Sequence, residues 1–496
     1  MHISSLPNDY GIGKLGKEAY AFVDFLEKAH QKCWQILPIS PTSYGDSPYQ
    51  SFSVHAGNPY FIDLEALEKD GYLKAAEYKN IEWGDDKGSV DYGKIYEVIF
   101  KVLRTAHKRF RKKPEKAYSK FVVENKDWIY DYALFMSLKF ANKGKAWYEW
   151  DEPLKMYKPK AIKSARKEYA NDIDFWCFVQ YKYFQQWKKL KAYANEKGIE
   201  IIGDIPIYVA YDSVEVWSTP QYFSLDKEKK PVEVAGCPPD AFTADGQLWG
   251  NPLYDWKAME KDGYSWWLDR IGSAISTYDV VRIDHFRAFA SFWQVPAESE
   301  TARIGEWAKG PGMKLFDKVF EKYPDTPIIA EDLGVFGDDV VKLLEDTGFP
   351  GMKVIQFGFD ESSDSSHLPH NAVRNSVNYV GTHDNNTLLG WLWEANESSR
   401  RFALDYCGFK GENWGEGGYK SESCRAIIET VWKSVSNTAI ISFQDLCGFG
   451  SDARMNIPGV AEKNWRFRTT VETVDAVDTA YYKKINRIFK RDYKVI

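Results

Sequence analysis

The sequence lacks several features that would define other classes of protein. No apolar run approaches the length that crosses a bilayer, and residues 1–7 lack the basic-then-apolar pattern of a signal peptide. The six cysteines are scattered and never form C-x-x-C, which indicates reduced thiols in a cytoplasm and neither a disulfide frame nor a zinc site. Basic charge is not in excess, since the net charge is −6, and this argues against a nucleic-acid binder. Walker A, H-E-x-x-H and EF-hand patterns are absent.

Aromatic residues, in contrast, are abundant. They make up 16% of the chain, with 19 Trp, 31 Tyr and 29 Phe. Several lie in polar stretches, such as residues 147–150 and 246–252. Flat aromatic faces with a polar edge suit a ligand with an apolar face and a hydroxylated rim, as a sugar ring has. For any single ring, core packing is the alternative explanation.

Short apolar runs that end in polar residues alternate with stretches of helical spacing. They predict eight strands, near residues 3, 36, 203, 282, 329, 355, 380 and 441. The helical spacing predicts helices over residues 18–30, 174–197, 264–276, 313–321, 338–345 and 419–435. This alternation predicts an α/β fold, a (β/α)8 TIM barrel with its active site at the carboxyl ends of the strands. A doubly wound open sheet is the alternative.

Two blocks interrupt the alternation. Residues 64–170 are rich in Lys and Glu and mostly helical in pattern, and residues 211–262 are irregular. We therefore expect residues 1–63, 171–210 and 263–496 to form the barrel. A mainly helical subdomain would be inserted at 64–170, and a second insertion at 211–262.

The stretch T-Y-D-V-V-R-I-D-H-F-R at residues 277–287 predicts a buried strand that ends in charge. Arg282 and Asp284 are two positions apart, so they share one face of this strand. An arginine beside an aspartate favours the ionised carboxylate, which suits a nucleophile or a group that stabilises positive charge. A structural ion pair at a strand end is the alternative.

Two other predicted strands also end in acids. Glu331 follows one, and Asp384 follows another with His383 beside it. Three acids around one barrel mouth form a candidate set for acid, base and nucleophile. Cleavage of a glycosidic bond needs two carboxyl groups in different states, one protonated and one anionic. Together with the aromatic loops, this makes glycoside chemistry the leading hypothesis.

The sequence also resembles a known family over nearly its whole length. It is similar to the 4-α-glucanotransferases (amylomaltases or disproportionating enzymes), which are relatives of the α-amylases. The matching stretches are residues 40–63 with Y-G-D-S-P-Y-Q, 203–208 with G-D-I-P-I-Y, 246–254, 282–286, 330–334, 381–385, and 444–458 with A-R-M-N.

The resemblance implies transfer of an α-1,4-glucan segment by a retaining double displacement. Asp284 would be the nucleophile, Glu331 the acid and base, and Asp384 a group that holds ring hydroxyls. It implies α-1,4-glucans and maltooligosaccharides as substrates, and no metal or organic cofactor. The expected substrate-binding residues are Arg282, His383, Tyr49, Asp204, Trp249, Phe242 and Asn456.

The sequence departs from the family pattern in two places, and it leaves two rival functions open. The family commonly has Tyr-Phe where this chain has Ala241-Phe242, so we expect a weaker outer glucan site and a shifted product size. The family usually has several residues before the first strand, so either that strand is short or the chain is not its full natural form. The rivals are an α-amylase-type hydrolase and a non-catalytic glucan-binding protein. The oligomeric state is not predicted.

Overall fold

The computed structural model describes residues 1–43, 45–239, 243–334, 337–362, 364–460 and 462–492. Within these ranges, none of the helices has the length and apolar character needed to cross a membrane. The strands are β1 Cys33–Gln35, β2 Glu200–Pro206, β3 Glu233–Cys237, β4 Gln247–Pro252, β5 Val280–Asp284, β6 Ser291–Pro296, β7 Glu306–Lys309, β8 Ile328–Ala330, β9 Gly351–Val354, β10 Ser376–Tyr379 and β11 Thr438–Ile440. The α-helices are α1 Lys17–Lys28, α2 Leu64–Lys69, α3 Tyr92–Phe110, α4 Lys116–Glu124, α5 Lys126–Ala141, α6 Glu152–Lys155, α7 Pro159–Glu168, α8 Ala170–Glu196, α9 Val214–Ser218, α10 Trp256–Lys261, α11 Ser265–Thr277, α12 Met313–Lys322, α13 Asp338–Thr347, α14 Leu388–Glu394, α15 Glu397–Tyr406, α16 Glu422–Lys433, α17 Phe443–Leu446, α18 Val471–Ala476 and α19 Thr479–Ile488.

Parallel strands form the wall of a barrel. They pair in the order β1-β2-β5-β8 and in the order β9-β10-β11, and the Ala330 N–H donates to Pro350 O at 3.0 Å where β8 meets β9. Alternate residues point inward, and Ile202, Met352 and Tyr379 belong to the apolar cluster that fills the interior. Helices follow the strands on the outside, so the fold is the TIM barrel that the sequence predicts.

The helices predicted from apolar spacing are confirmed. They are present as α1, α8, α11, α12, α13 and α16, with ends that differ by a few residues. Helix α8 is followed by Gly198 at φ +74°, a left-handed conformation that glycine adopts without a Cβ clash. The glycine therefore ends this helix and turns the chain into β2.

The strand predicted at residues 1–7 is wrong. Ile3–Ser5 form a short 3-10 helix, in which Ser5 N–H donates to His2 O at 3.1 Å. Because such local turns satisfy backbone groups, this segment needs no neighbouring strand. The described residues have no strand ladder between β11 and β1, and a cavity of about 490 Å³ lies between them. Tyr379 reaches β1 by donating from its hydroxyl to Gln35 Oε1 at 2.9 Å.

A second, antiparallel sheet stands beside the barrel, with strand order β4-β3-β6-β7. The expectation that residues 211–262 are irregular is therefore wrong, because β3 pairs with β4 on one side and with β6 of the later β6–β7 hairpin on the other. Gly236 lies at an irregularity of β3, where a Cβ would lie 2.6 Å from Gln247 O. Gly310 N–H donates to Ala290 O at 2.8 Å, which fastens the hairpin to the chain that follows β5.

Residues 64–170 contain helices α2 to α7, as expected for a mainly helical insertion. Buried Lys182 of α8 attaches this block to the barrel. Its Nζ lies 2.5 Å from Glu115 Oε1 and 3.0 Å from Asp70 Oδ2. The division of the chain into domains stays a prediction.

Candidate active site

Two of the three predicted acids lie at the ends of neighbouring strands. Asp284 is the last residue of β5, and Glu331 directly follows β8. The strands pair in parallel with Ile283 opposite Ala330, and Glu331 N–H donates to Ile283 O at 3.0 Å. The carboxyl ends of paired parallel strands meet at one edge, so the negative charge of Asp284 acts directly on Glu331.

Arg282 contacts two carboxylates at once. Its side chain is 4% exposed, with Nη2 at 2.9 Å from Asp284 Oδ1 and Nη1 at 2.6 Å from Asp204 Oδ2. Asp204 lies opposite Arg282 on β2 and is 1% exposed. Its neighbour Gly203 leaves room for the Tyr278 ring, which a Cβ would approach to 2.1 Å. The guanidinium thus compensates part of the desolvation of buried Asp204 and of partly buried Asp284.

The two catalytic candidates differ in acidity. Burial raises the pKa of Asp284 to about 6, and the charge of Arg282 opposes this rise. Burial and then the charge of Asp284 raise the pKa of Glu331 to about 8, again against Arg282. Near neutral pH, Asp284 is therefore anionic while Glu331 keeps its proton. Carboxyl groups whose surroundings separate their pKa values in this way can divide the roles of nucleophile and acid.

The turn after β5 holds the Glu331 carboxyl in place. His285 has φ +53°, which is uncommon for a residue other than glycine, and its N–H donates to Glu331 Oε2 at 2.6 Å. Leu333 N–H donates to Glu331 Oε1 at 2.7 Å. Burial, followed by the nearby Arg287, lowers the pKa of His285 to about 3, so its ring is neutral. Both oxygens of Glu331 are thus oriented by backbone donors.

Asp384, the third acid, lies in the loop after β10 and remains open to solvent. Its side chain is 48% exposed, and Asn456 Nδ2 donates to Oδ1 at 2.6 Å. Arg454 Nη2 donates to the backbone carbonyl of Asp384 at 2.6 Å, and His383 Nε2 lies 3.4 Å from Asp384 Oδ2. The carboxylate is therefore positioned by its neighbours and still free to meet the hydroxyls of a ligand.

Tyr49 connects the loop at residues 40–63 to both clusters. Its hydroxyl donates to Asp204 Oδ2 at 2.7 Å and lies 3.4 Å from His383 Nδ1. The rings of Tyr49 and His383 stack with centroids 4.9 Å apart and planes 18° apart. Burial and then Asp204 raise the pKa of Tyr49 well above its usual value, so the phenol remains a donor.

Trp249 of β4 packs against the turn that follows β5, at His285. Its ring meets the His285 ring edge-on, with centroids 4.7 Å apart, and its Nε1 donates to Gln247 Oε1 at 3.1 Å. Trp249 thus stands near the backbone that holds Glu331. Ala241 and Phe242, the predicted members of the adjacent glucan-binding loop, lie outside the described residues.

Sequence reasoning did not single out His285, Arg454 or Arg287. His285 and Arg287 lie in the stretch 277–287, and Arg454 lies in the stretch 444–458. Residue type alone does not predict the contacts that these three side chains and backbones make. In the ranges that the structure describes, His, Cys, Asp and Glu side chains form no group of three or more that could hold a metal ion. The expectation of no metal or cofactor stays a prediction.

A barrel with two carboxyl groups of unequal acidity at neighbouring strand ends is typical of enzymes that act on glycosidic bonds. A family model described as 4-alpha-glucanotransferase matches residues 1–473. The 4-alpha-glucanotransferase of Clostridium butyricum is 47% identical over 99% of this chain and 100% of its own length. That of Streptococcus pneumoniae is also 47% identical, over 98% of this chain and 97% of its own. The chain belongs to the 4-α-glucanotransferase family.

Solved structures agree with this assignment. The amylomaltase from Streptococcus agalactiae in complex with acarbose matches with a TM-score of 0.95 and 42% identity, over 99% of this chain and 98% of that one. The amylomaltase from Corynebacterium glutamicum matches with a TM-score of 0.79 and 16% identity, over 98% and 74%, which is a likeness of fold alone. Of the two enzymatic activities left open by the sequence, the protein has glucan transfer and not α-amylase-type hydrolysis.

Proposed function

We propose that Asp284, Glu331 and Asp384 carry out this transfer by a retaining double displacement on α-1,4-glucans. The observation that carries the proposal is the arrangement around Arg282. Its guanidinium lies 2.9 Å from Asp284, and Glu331, held by two backbone N–H groups, is the less acidic carboxyl of the pair. The site therefore offers an anion and a proton at adjacent strand ends.

In the first step, an oxygen of Asp284 attacks the anomeric carbon of the donor glucan. The bond to the bridging oxygen breaks, and Glu331 gives its proton to that oxygen. Glucan and Asp284 are then joined as an ester, and the shortened glucan leaves. Because His285 and Leu333 donate to different oxygens of Glu331, its carboxyl plane is fixed during proton transfer.

In the second step, the 4-hydroxyl of another glucan or of glucose attacks the ester, and Glu331 removes its proton. Formation of the ester removes the negative charge of Asp284, which is one of the causes that raise the pKa of Glu331. The pKa of Glu331 therefore falls at the moment when it must act as a base. Attack from the side that the first glucan left restores the original anomeric configuration.

Asp384 and its neighbours bind the sugar that reacts. Its carboxylate accepts hydrogen bonds from ring hydroxyls and stabilises the positive charge that develops at the anomeric carbon. Asn456 fixes the carboxylate from one side at 2.6 Å, and His383 stands beside it. The Tyr49 ring stacks on the His383 ring, and the Tyr49 hydroxyl donates to Asp204, which contacts Arg282. These contacts fix the orientation of His383 relative to Arg282.

Maltooligosaccharides and longer α-1,4-glucans are the proposed donors and acceptors, with Trp249 on the acceptor side. Phe242, which lies outside the described residues, stays a predicted binding residue. The support is the acarbose complex of the Streptococcus agalactiae amylomaltase, which is 42% identical. An acceptor side lined by aromatic rings favours a sugar hydroxyl over water as the attacking group. A cytoplasmic location is proposed from the spacing of the six cysteines, which are scattered along the chain and never form C-x-x-C.

Incubation with maltotriose tests the mechanism. The wild-type protein is expected to give glucose and a ladder of longer glucans, whereas Asp284→Asn gives neither. Asp279→Asn is the matched control, because Asp279 lies at the opposite end of the same strand, where it accepts from Ile201 N–H at 2.8 Å. Glucan lengthening by Asp284→Asn at the wild-type rate would exclude the assigned nucleophile.

A further inference from the structure

We propose that Trp465 is a positioning residue for glucan transfer, because its indole ring fixes the orientation of His383. The inference rests on the proposed role of His383 and Asp384 in binding the sugar that reacts. Trp465 is 7% exposed and lies beyond residues 444–458, the last stretch in which the sequence resembles the family. The sequence therefore gives this tryptophan no role, and its contacts are visible only in the structure.

The Trp465 ring lies against the stacked rings of Tyr49 and His383. Its centroid is 5.7 Å from each of the other two, with angles between the planes of 44° to Tyr49 and 40° to His383. Aromatic pairs favour centroid separations of about 4.5–7 Å. The indole therefore contacts both members of the stack, and neither ring can turn into the space that the indole fills.

The backbone of Trp465 is held in an uncommon conformation. Its φ is +66°, in the left-handed region that bulky residues rarely adopt. Trp465 N–H donates to Met455 O at 2.7 Å, and the Tyr92 hydroxyl donates to Trp465 O at 2.9 Å. Strained backbone of this kind persists only where the surrounding structure imposes it, and it is concentrated at active sites and ligand clamps. The placement of the indole against His383 accounts for the strain.

Trp465 also contacts the segment that holds Asp384. Met455, whose carbonyl accepts from Trp465 N–H, lies between the two residues that donate to Asp384, one to its backbone carbonyl and one to its carboxylate. The ring of the same tryptophan contacts His383, which precedes Asp384 in the chain. One residue thus sets the position of the His383 ring relative to the segment behind Asp384.

Two substitutions of Trp465 test this role. Trp465→Leu removes the ring but keeps an apolar side chain. Because His383 is then free to turn, kcat for maltotriose is expected to fall about 10- to 100-fold, while KM stays within about threefold of the wild type. Trp465→Phe fills part of the same space and is expected to lower kcat only about threefold.

A double-mutant cycle with His383→Ala identifies the cause of the loss. In the His383→Ala background, each Trp465 substitution is expected to lower kcat by less than about twofold, because no imidazole remains to be oriented. The cycle with Trp465→Phe gives the answer if Trp465→Leu does not fold. Losses of kcat that multiply in full with that of His383→Ala would overturn the inference and assign Trp465 to core packing alone.

Trp150→Leu is the matched control. Trp150 lies in the helical insertion, is 4% exposed and packs on Phe135 and Trp217. Its substitution is expected to lower the urea midpoint of unfolding, as Trp465→Leu does, and to leave kcat unchanged. An equal loss of kcat in Trp150→Leu would overturn the inference. Wild-type kcat in His383→Ala alone would instead refute the proposed role of His383, and the inference with it.

Discussion

Replacement of Arg282 by methionine tests the electrostatic core of the mechanism. The positive charge of Arg282 lowers the pKa of Asp284, and its removal is expected to raise that pKa by about one to three units. The wild-type profile of kcat/KM against pH should be a bell. Its acid limb lies at about 6, where Asp284 ionises, and its alkaline limb at about 8, where Glu331 loses its proton.

The size of the effect follows from these values. If the acid limb moves from about 6 to about 8, the ionised fraction of Asp284 at pH 7 falls from about nine-tenths to about one-tenth. Activity at pH 7 should then fall about tenfold from ionisation alone and recover partly at higher pH, because Arg282 also lowers the pKa of Glu331. The shift of the optimum is therefore towards alkaline pH.

The assay is kcat/KM for maltotriose between about pH 4 and pH 10. Arg282→Lys is the comparison variant: it keeps a positive charge, although one ammonium cannot reproduce both guanidinium contacts, and it should shift the acid limb less than Arg282→Met does. Arg282→Met also leaves the buried carboxylate of Asp204 without a cation, so a loss of about 3–5 kcal/mol in unfolding free energy is expected in urea. An acid limb that stays at about 6 in Arg282→Met would refute the assigned ionisation of Asp284.

Three further predictions address individual contacts. Glu331→Gln should lose activity on maltotriose but still release fluoride from α-maltosyl fluoride, because fluoride leaves without an acid; mass spectrometry should then find the glucan ester accumulating. Asn456→Ala removes the 2.6 Å hydrogen bond to Asp384 and should lower kcat about 10- to 100-fold with little change in KM in steady-state assays. Gly203→Ala places a Cβ 2.1 Å from the Tyr278 ring and should lower the unfolding free energy by about 1–3 kcal/mol in urea.

The sequence predicts features that depend on neighbouring residues in the chain. The end of α8 at Gly198 is one example, since helical spacing and a glycine stop are both local. The acids at the carboxyl ends of β5 and β8 are another, because a barrel places the carboxyl ends of all its parallel strands on one rim. For these features, the residue pattern within one segment is sufficient to predict the structure.

Features that depend on pairing between distant segments were missed. The sequence predicts a strand at residues 1–7, but Ile3–Ser5 form a 3-10 helix closed by backbone hydrogen bonds, and no local pattern reports this competition. The antiparallel sheet joins strands from residues 233–252 and 291–309, across the whole of β5. The bridge from Arg282 to Asp204 depends on the register of β2 with β5, which only tertiary structure fixes.

That register explains why the buried carboxylate of Asp204 accompanies the proposed catalytic pair. If Arg282 contacted Asp284 alone, its full charge would stabilise the anion and make it a poor nucleophile. Asp204 Oδ2 contacts the other terminal nitrogen of the guanidinium, Nη1, at 2.6 Å. The negative charge of Asp204 also raises the pKa of Asp284. In the proposed mechanism, Asp284 thus stays ionised near neutral pH while retaining enough basicity to attack. When the ester forms, Arg282 and Asp204 are left as a balanced pair, so the site need not bury a new net charge during the second step.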